Sequence, residues 1–182
     1  MLSIYGNDQN KIKELIKQMS SGIEWWIDKA LITLKLAARK MEGASAKHIR
    51  SEIESGFVAG SPRVWWLGLR SVRDNLPSES TKLASLVSDP NAMGWFIPEV
   101  ESADPVIYRL SATEAEDVLR ECPFFEYYFL DDKRSCLIAE TDHNQFIIAG
   151  PADDPLPPVA PRWPGVLLRA MRYRYATLVL RN

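Results

Sequence analysis

Hydrophobic positions recur with a helical period through the first half of the chain and crowd into short β-type runs in the second. Asn7 or Asp8 can cap a helix that carries Ile12, Leu15, Ile16 and Met19 on one face. Ser21 followed by Glu24 has the spacing of a capping box, and Trp25, Trp26, Ile27, Ala30, Leu31, Leu34 and Ala38 continue at helical intervals. This predicts a long central helix closed by Gly43. Ser45 can cap a shorter helix through Ile49 and Ile53 that stops at Gly56. Pro62 suits the first turn of another, with Val64, Trp65, Leu67, Leu69 and Val72 along it and an end before Pro77. A turn or short helix covers residues 80–87 and closes at Asp89-Pro90.

The character changes near Gly94. Trp95-Phe96-Ile97 and Val106-Ile107-Tyr108-Arg109-Leu110 are β-type runs bounded by proline. Ser111 and Glu114 repeat the capping-box spacing and open a helix to Cys122, which Pro123 ends. Three more strands are predicted at residues 124–130, 135–140 and 145–149, separated by hairpin-length loops and therefore arranged as an antiparallel meander. Six prolines between Pro151 and Pro164 mark a connector, and residues 166–180 suit a strand or two. The expected fold is α+β in one domain spanning 1–182: helices over about 1–92, then a β-rich part over about 93–182 with one inserted helix.

Composition narrows the class. With 46% hydrophobic and 25% charged residues the chain has ordinary globular values, which excludes disorder and collagen. The most apolar stretch, residues 23–38, is interrupted by Glu24, Asp28, Lys29 and Lys35, so no membrane span is expected. The opening residues lack the basic and apolar regions of a signal peptide, and Cys122 and Cys136 both sit in apolar surroundings. A cytoplasmic protein with two buried thiols is the expectation.

Charge is uneven. Residues 1–98 hold 13 basic and 10 acidic side chains, residues 99–154 hold 4 and 14, and residues 155–182 hold 5 and none, giving nets of +3, −10 and +5. The acidic block either is a solvated surface, partly neutralised by the arginine tail, or meets a basic partner. The tail interleaves Arg162, Arg169, Arg172, Arg174 and Arg181 with Trp163, Tyr173 and Tyr175, but five charges are too few for strong nucleic-acid binding in an acidic molecule.

No P-loop, dinucleotide fingerprint or nucleophile elbow occurs, and the histidines and cysteines lack metal-ligand spacing, so neither a cofactor nor a metal is expected. Cys136 and His143 have the residue types of a nucleophile and base, with Asp142 able to orient the imidazole. Glu126, Glu140 and Asp142 could share one sheet face, Glu126 pairing with Lys133 or Arg134 across the strands. In Trp25-Trp26 and Trp65-Trp66, adjacent residues point about 100° apart on a helix, so one indole of each pair can be partly exposed and serve as a binding anchor.

The runs Pro105-Val106-Ile107-Tyr108-Arg109-Leu110, Phe125-Glu126-Tyr127-Tyr128 and Leu137-Ile138-Ala139-Glu140-Thr141-Asp142-His143-Asn144, with Gly150, resemble a family of small, uncharacterised bacterial proteins. The family ends in a strand with E-Y-Y, a W-L-x-x-E-N-H-H-D-like stretch and a glycine. The resemblance spans about residues 93–150; Cys136 stands where tryptophan is usual, and Thr141-Asp142-His143 replaces the Asn-His-His run. In size and setting the family is similar to immunity proteins that neutralise toxins in competition between bacteria. On this reading the chain is a binding protein, not an enzyme, whose Glu126, Asp131, Asp132, Glu140, Asp142 and His143 meet a toxin with a basic active-site cleft, with self-association open. The alternative is a small hydrolase or transferase using His143 with Asp142 or Cys136.

Overall fold

The computed structural model describes residues 22–100 and 104–150. The helix expected over 7–19, the proline connector and the arginine tail lie outside these residues. Helix α1, Ile23–Leu34, buries Ile27, Ala30 and Leu31, which fall on one face at intervals of three and four. Its N-cap is Gly22, with no side-chain cap. The helix stops four residues before Ala38, because Lys35 turns left-handed and the amides of Lys35 and Leu36 close on the carbonyls of Ile32 and Leu31. The chain then becomes strand β1, Arg39–Met41. Helix α2, Gly43–Phe57, starts two residues before Ser45 and buries Ala46, Ile49 and Ile53.

The helix predicted after Pro62 does not form. Trp65–Gly68 is a single 3₁₀ turn, and strand β2 occupies Val72–Pro77. The reason is local. The Ala59 amide donates to the Gly68 carbonyl and the Arg70 amide to that of Phe57, both at 2.7 Å, so the chain folds back along the end of α2 instead of coiling. A Cβ on Gly68 would sit 2.7 Å from the Ala59 carbonyl oxygen, so only glycine permits this return. A second 3₁₀ turn, Leu83–Leu86, precedes β3, Met93–Pro98.

The β-rich part follows its pattern closely. Strand β4 is Ile107–Ser111, and helix α3, Ala112–Glu121, opens with the expected capping box: the Glu114 amide donates to Ser111 Oγ at 3.2 Å and the Ser111 amide to Glu114 Oε2 at 2.8 Å. Strands β5, Tyr127–Leu130, β6, Leu137–Glu140, and β7, Gln145–Ala149, form the meander. Residues 124–126 stay outside β5.

All seven strands join one antiparallel sheet in the order β1-β4-β3-β5-β6-β7-β2, an α+β fold. Both outer strands come from the half read as helical. Alternation then assigns the faces. Phe96, Tyr108, Leu110, Tyr127, Phe129, Ile138, Phe146 and Ile148 pack with α1, α3 and the Leu83–Leu86 turn. Ile97, Ile107, Tyr128, Leu130, Leu137 and Ala139 pack with α2 and Trp65. Helices thus cover both faces, and neither side of the central strands is wet. Both cysteines are free and buried.

Candidate functional site

The six acidic and histidine positions singled out in the sequence do not share one surface. Asp131 and Asp132 lie in the β5–β6 hairpin, and Glu126, Asp142 and His143 lie at the opposite end of the same strands. Asp131 is an internal brace: its carboxylate accepts from the Ser135 amide at 2.6 Å, the Ser135 hydroxyl at 2.7 Å and the Cys136 amide at 2.9 Å. Asp132 takes Arg109 Nη2 at 2.6 Å, while the Arg109 guanidinium lies 4.2 Å from the Trp95 ring centre. Glu140, expected on the accessible acidic face, is 3% exposed. It sits opposite Tyr127 and Phe146, on the side of the sheet away from α2, so it cannot join Glu126 there. Lys133 and Arg134 lie at the far end of the strand from Glu126, and Arg134 pairs instead with Glu52 of α2 at 3.1 Å.

The remaining three residues do come together, around a side chain from sixty residues earlier. Trp66, in the first 3₁₀ turn, donates its indole Nε1–H to Glu126 Oε1 at 3.0 Å. The Asp142 amide donates to the same oxygen at 3.1 Å. The ring of His143 stands edge-on to Trp66, 5.6 Å between centres. Its Nε2 is 3.5 Å from Asp142 Oδ1, and both side chains are more than half exposed. Leu67, next to Trp66, is 59% exposed. The β6–β7 turn is fixed from within by the His143 amide, which donates to Thr141 Oγ1.

Behind this surface lies a second set of contacts that sequence reasoning missed. Arg50 of α2 donates to both oxygens of Glu99 at 3.2 Å and lies 4.4 Å from the Trp65 ring centre. Trp65 in turn tilts against Tyr128 at 5.0 Å. The Tyr128 hydroxyl accepts from the Trp66 amide at 3.3 Å, and the Glu99 amide donates to the Glu126 carbonyl at 2.9 Å. Burial pushes the Glu99 carboxyl above the ordinary carboxylate range, and the Arg50 guanidinium opposes part of that rise. Burial likewise pushes the Tyr128 phenol up, and the negative charge of Glu99 adds to it. Spacing could not reveal these partners, since they come from α2, the Trp65–Gly68 turn, β5 and the residue after β3.

Cys136 and His143 do not form a nucleophile–base pair. They flank strand β6 at opposite ends, about 13 Å apart along the strand direction. The thiol packs into the core on the α1 and α3 side, whereas the imidazole meets Trp66 on the α2 side. Among the described residues no group of three histidine, cysteine or acidic side chains could hold a metal ion, and no helix is long and apolar enough to cross a membrane.

No protein-family model, no curated protein and no solved structure matches this chain. What the sheet end can do therefore follows from its chemistry alone: a carboxylate fixed by two N–H donors, an indole, an exposed leucine and an accessible Asp–His pair. These are the materials of a recognition surface with an aromatic and aliphatic anchor inside a charged rim.

Proposed function

We propose that this protein works by binding another protein, as an immunity-type factor that neutralises a cognate bacterial toxin by covering a basic active-site cleft. One observation carries the reading. Among the described residues, Glu126 and Asp142 have no lysine or arginine partner, whereas Glu99, Asp104, Asp117 and Asp132 of the same acidic stretch pair with Arg50, Lys47, Arg120 and Arg109. Part of the acidic block is thus compensated inside the fold. Glu126 and Asp142 lie beside Trp66 and its neighbour Leu67, where attraction to a cationic partner adds to apolar anchoring. The resemblance of residues 93–150 to bacterial proteins similar to immunity factors supports the same direction.

The test is co-expression. The products of reading frames adjacent to this gene are expressed in a susceptible host with and without this chain. Rescue of growth, with a complex that persists through gel filtration, is the expected result. A toxic neighbour that this chain does not restrain would overturn the reading. So would turnover of a small substrate that is lost in His143→Ala while the fold is kept, because a blocking protein has no chemistry to lose.

A further inference from the structure

The proposed binding role leaves open what the sheet-end surface recognises, and the placement of its acceptors answers that. We infer that this surface docks an arginine side chain of the partner protein, its guanidinium seated between Glu126 and Asp142 and beside the Trp66 indole, with Leu67 covering the partner's neighbouring apolar residue. The inference rests on the binding reading and adds the identity of the group bound. Four observations support it.

Glu126 Oε1 is committed to two N–H donors, from Trp66 and Asp142, so the carboxylate is held before any partner arrives. Its second oxygen has no hydrogen-bond partner among the described residues. The Asp142 carboxylate belongs to the residue whose amide Glu126 holds, and the exposed His143 Nε2 lies 3.5 Å from it. Two carboxylates on residues joined by one hydrogen bond suit the paired N–H groups of a planar guanidinium better than a lysine ammonium. Arg50 of α2, behind this surface, is already held by Glu99 and stacked on Trp65, and so does not occupy the place itself. Among the described residues the two carboxylates therefore have no lysine or arginine partner, next to a leucine that is 59% exposed.

The Trp66 indole N–H reports on the site directly, because its resonance senses the carboxylate it donates to. The full-length chain, labelled with ¹⁵N, is titrated with Nα-acetyl-arginine amide, and in parallel with the lysine and citrulline analogues. A saturable shift of the Trp66 indole signal is expected with arginine, weaker with lysine and absent with uncharged citrulline. Glu126→Gln keeps a carbonyl acceptor for both donors and loses only the charge, so its spectrum stays native while arginine affinity falls about tenfold. Equal shifts with arginine and citrulline, or an unchanged affinity in Glu126→Gln, would overturn the inference. A concentration-dependent shift without any additive, showing a second copy of this chain in the place, would overturn it as well. Failure of toxin rescue with a positive arginine titration would instead reject the immunity reading and leave the arginine site standing.

Discussion

Arg50 grips both oxygens of Glu99, and through that pair helix α2 is tied to the strand end directly behind Trp66 and Glu126. The two side chains are 22% and 14% exposed, so most of their hydration has been given up. Glu99→Ala leaves the guanidinium half-buried without its acceptor, and chemical denaturation is expected to show a loss of about 2 kcal/mol. The pH dependence has a definite sign. Because the folded Glu99 carboxyl titrates above its ordinary 4.5, the native state binds that proton more tightly than the unfolded chain. Its contribution is full below 4.5 and is lost as pH rises through the raised value. The stability of Glu99→Gln measured across this range should lack that decline; an identical slope in both proteins would refute the assignment.

Two tyrosines make an alkaline counterpart. Tyr108 is fully buried and donates to Asp28 Oδ1 at 3.0 Å, and Tyr128 is fully buried against Trp65. Burial and neighbouring carboxylates raise both phenols above the ordinary 10.0. A raised folded value means that stability is intact below pH 10 and falls as pH climbs beyond it. Ultraviolet titration should show these two phenols ionising only together with unfolding, a step that Tyr108→Phe and Tyr128→Phe each reduce by one group.

Asp131 and Asp142 offer a separation of structure from recognition. Asp131→Ala removes one acceptor that serves three donors and should cost about 2 kcal/mol in the β5–β6 hairpin, with partner affinity unchanged once the protein is folded. Asp142→Asn keeps the backbone donor to Glu126 and should leave the melting temperature within a degree or two while slowing association at low salt. Surface plasmon resonance with the cognate partner, run at two ionic strengths, checks both; an affinity loss confined to Asp131→Ala would reverse the assignment.

Gly94 has no room for a side chain. A Cβ there would meet the Phe129 ring and lie 2.8 Å from the Leu130 carbonyl oxygen of the neighbouring strand β5. Gly94→Ala is therefore expected to destabilise by about 3 kcal/mol through displacement of Phe129 from the core. Thermal melting checks this, and Phe129→Leu in the same chain should recover part of the loss by vacating space.

The five central strands and α3 were legible because each carries its own local instructions, whereas the edge strands β1 and β2 were not. Ser111 and Glu114 specify a helix start within four residues, and Pro123 stops it, so the structure had little freedom to differ. The stretch from Val64 to Val72 was misread for a physical reason. Val64, Trp65, Leu67, Leu69 and Val72 fit a helical face by spacing, yet Leu67 and Val72 are exposed and only part of the set is buried. Backbone bonds from Ala59 to Gly68 and Arg70 to Phe57 outweigh that periodicity, and no pattern count contains them. The partial exposure expected for one indole of Trp65-Trp66 is seen, with Trp65 buried and Trp66 half-buried. What Trp66 bonds to was not legible, since Glu126 lies sixty positions away and enters through the order of the strands.

That strand order also dictates a schedule. Strand β2 has its hydrogen-bonding neighbour in β7, with Val72 opposite Ala149, so this edge cannot zip until the last strand of the described fold exists. On a ribosome the segment carrying Trp65, Trp66 and Leu67 would wait through the synthesis of six further strands, β2 to β7, before the sheet beside it is completed. Nascent chains shorter than β7 thus carry Trp66 without the strand support of the completed sheet.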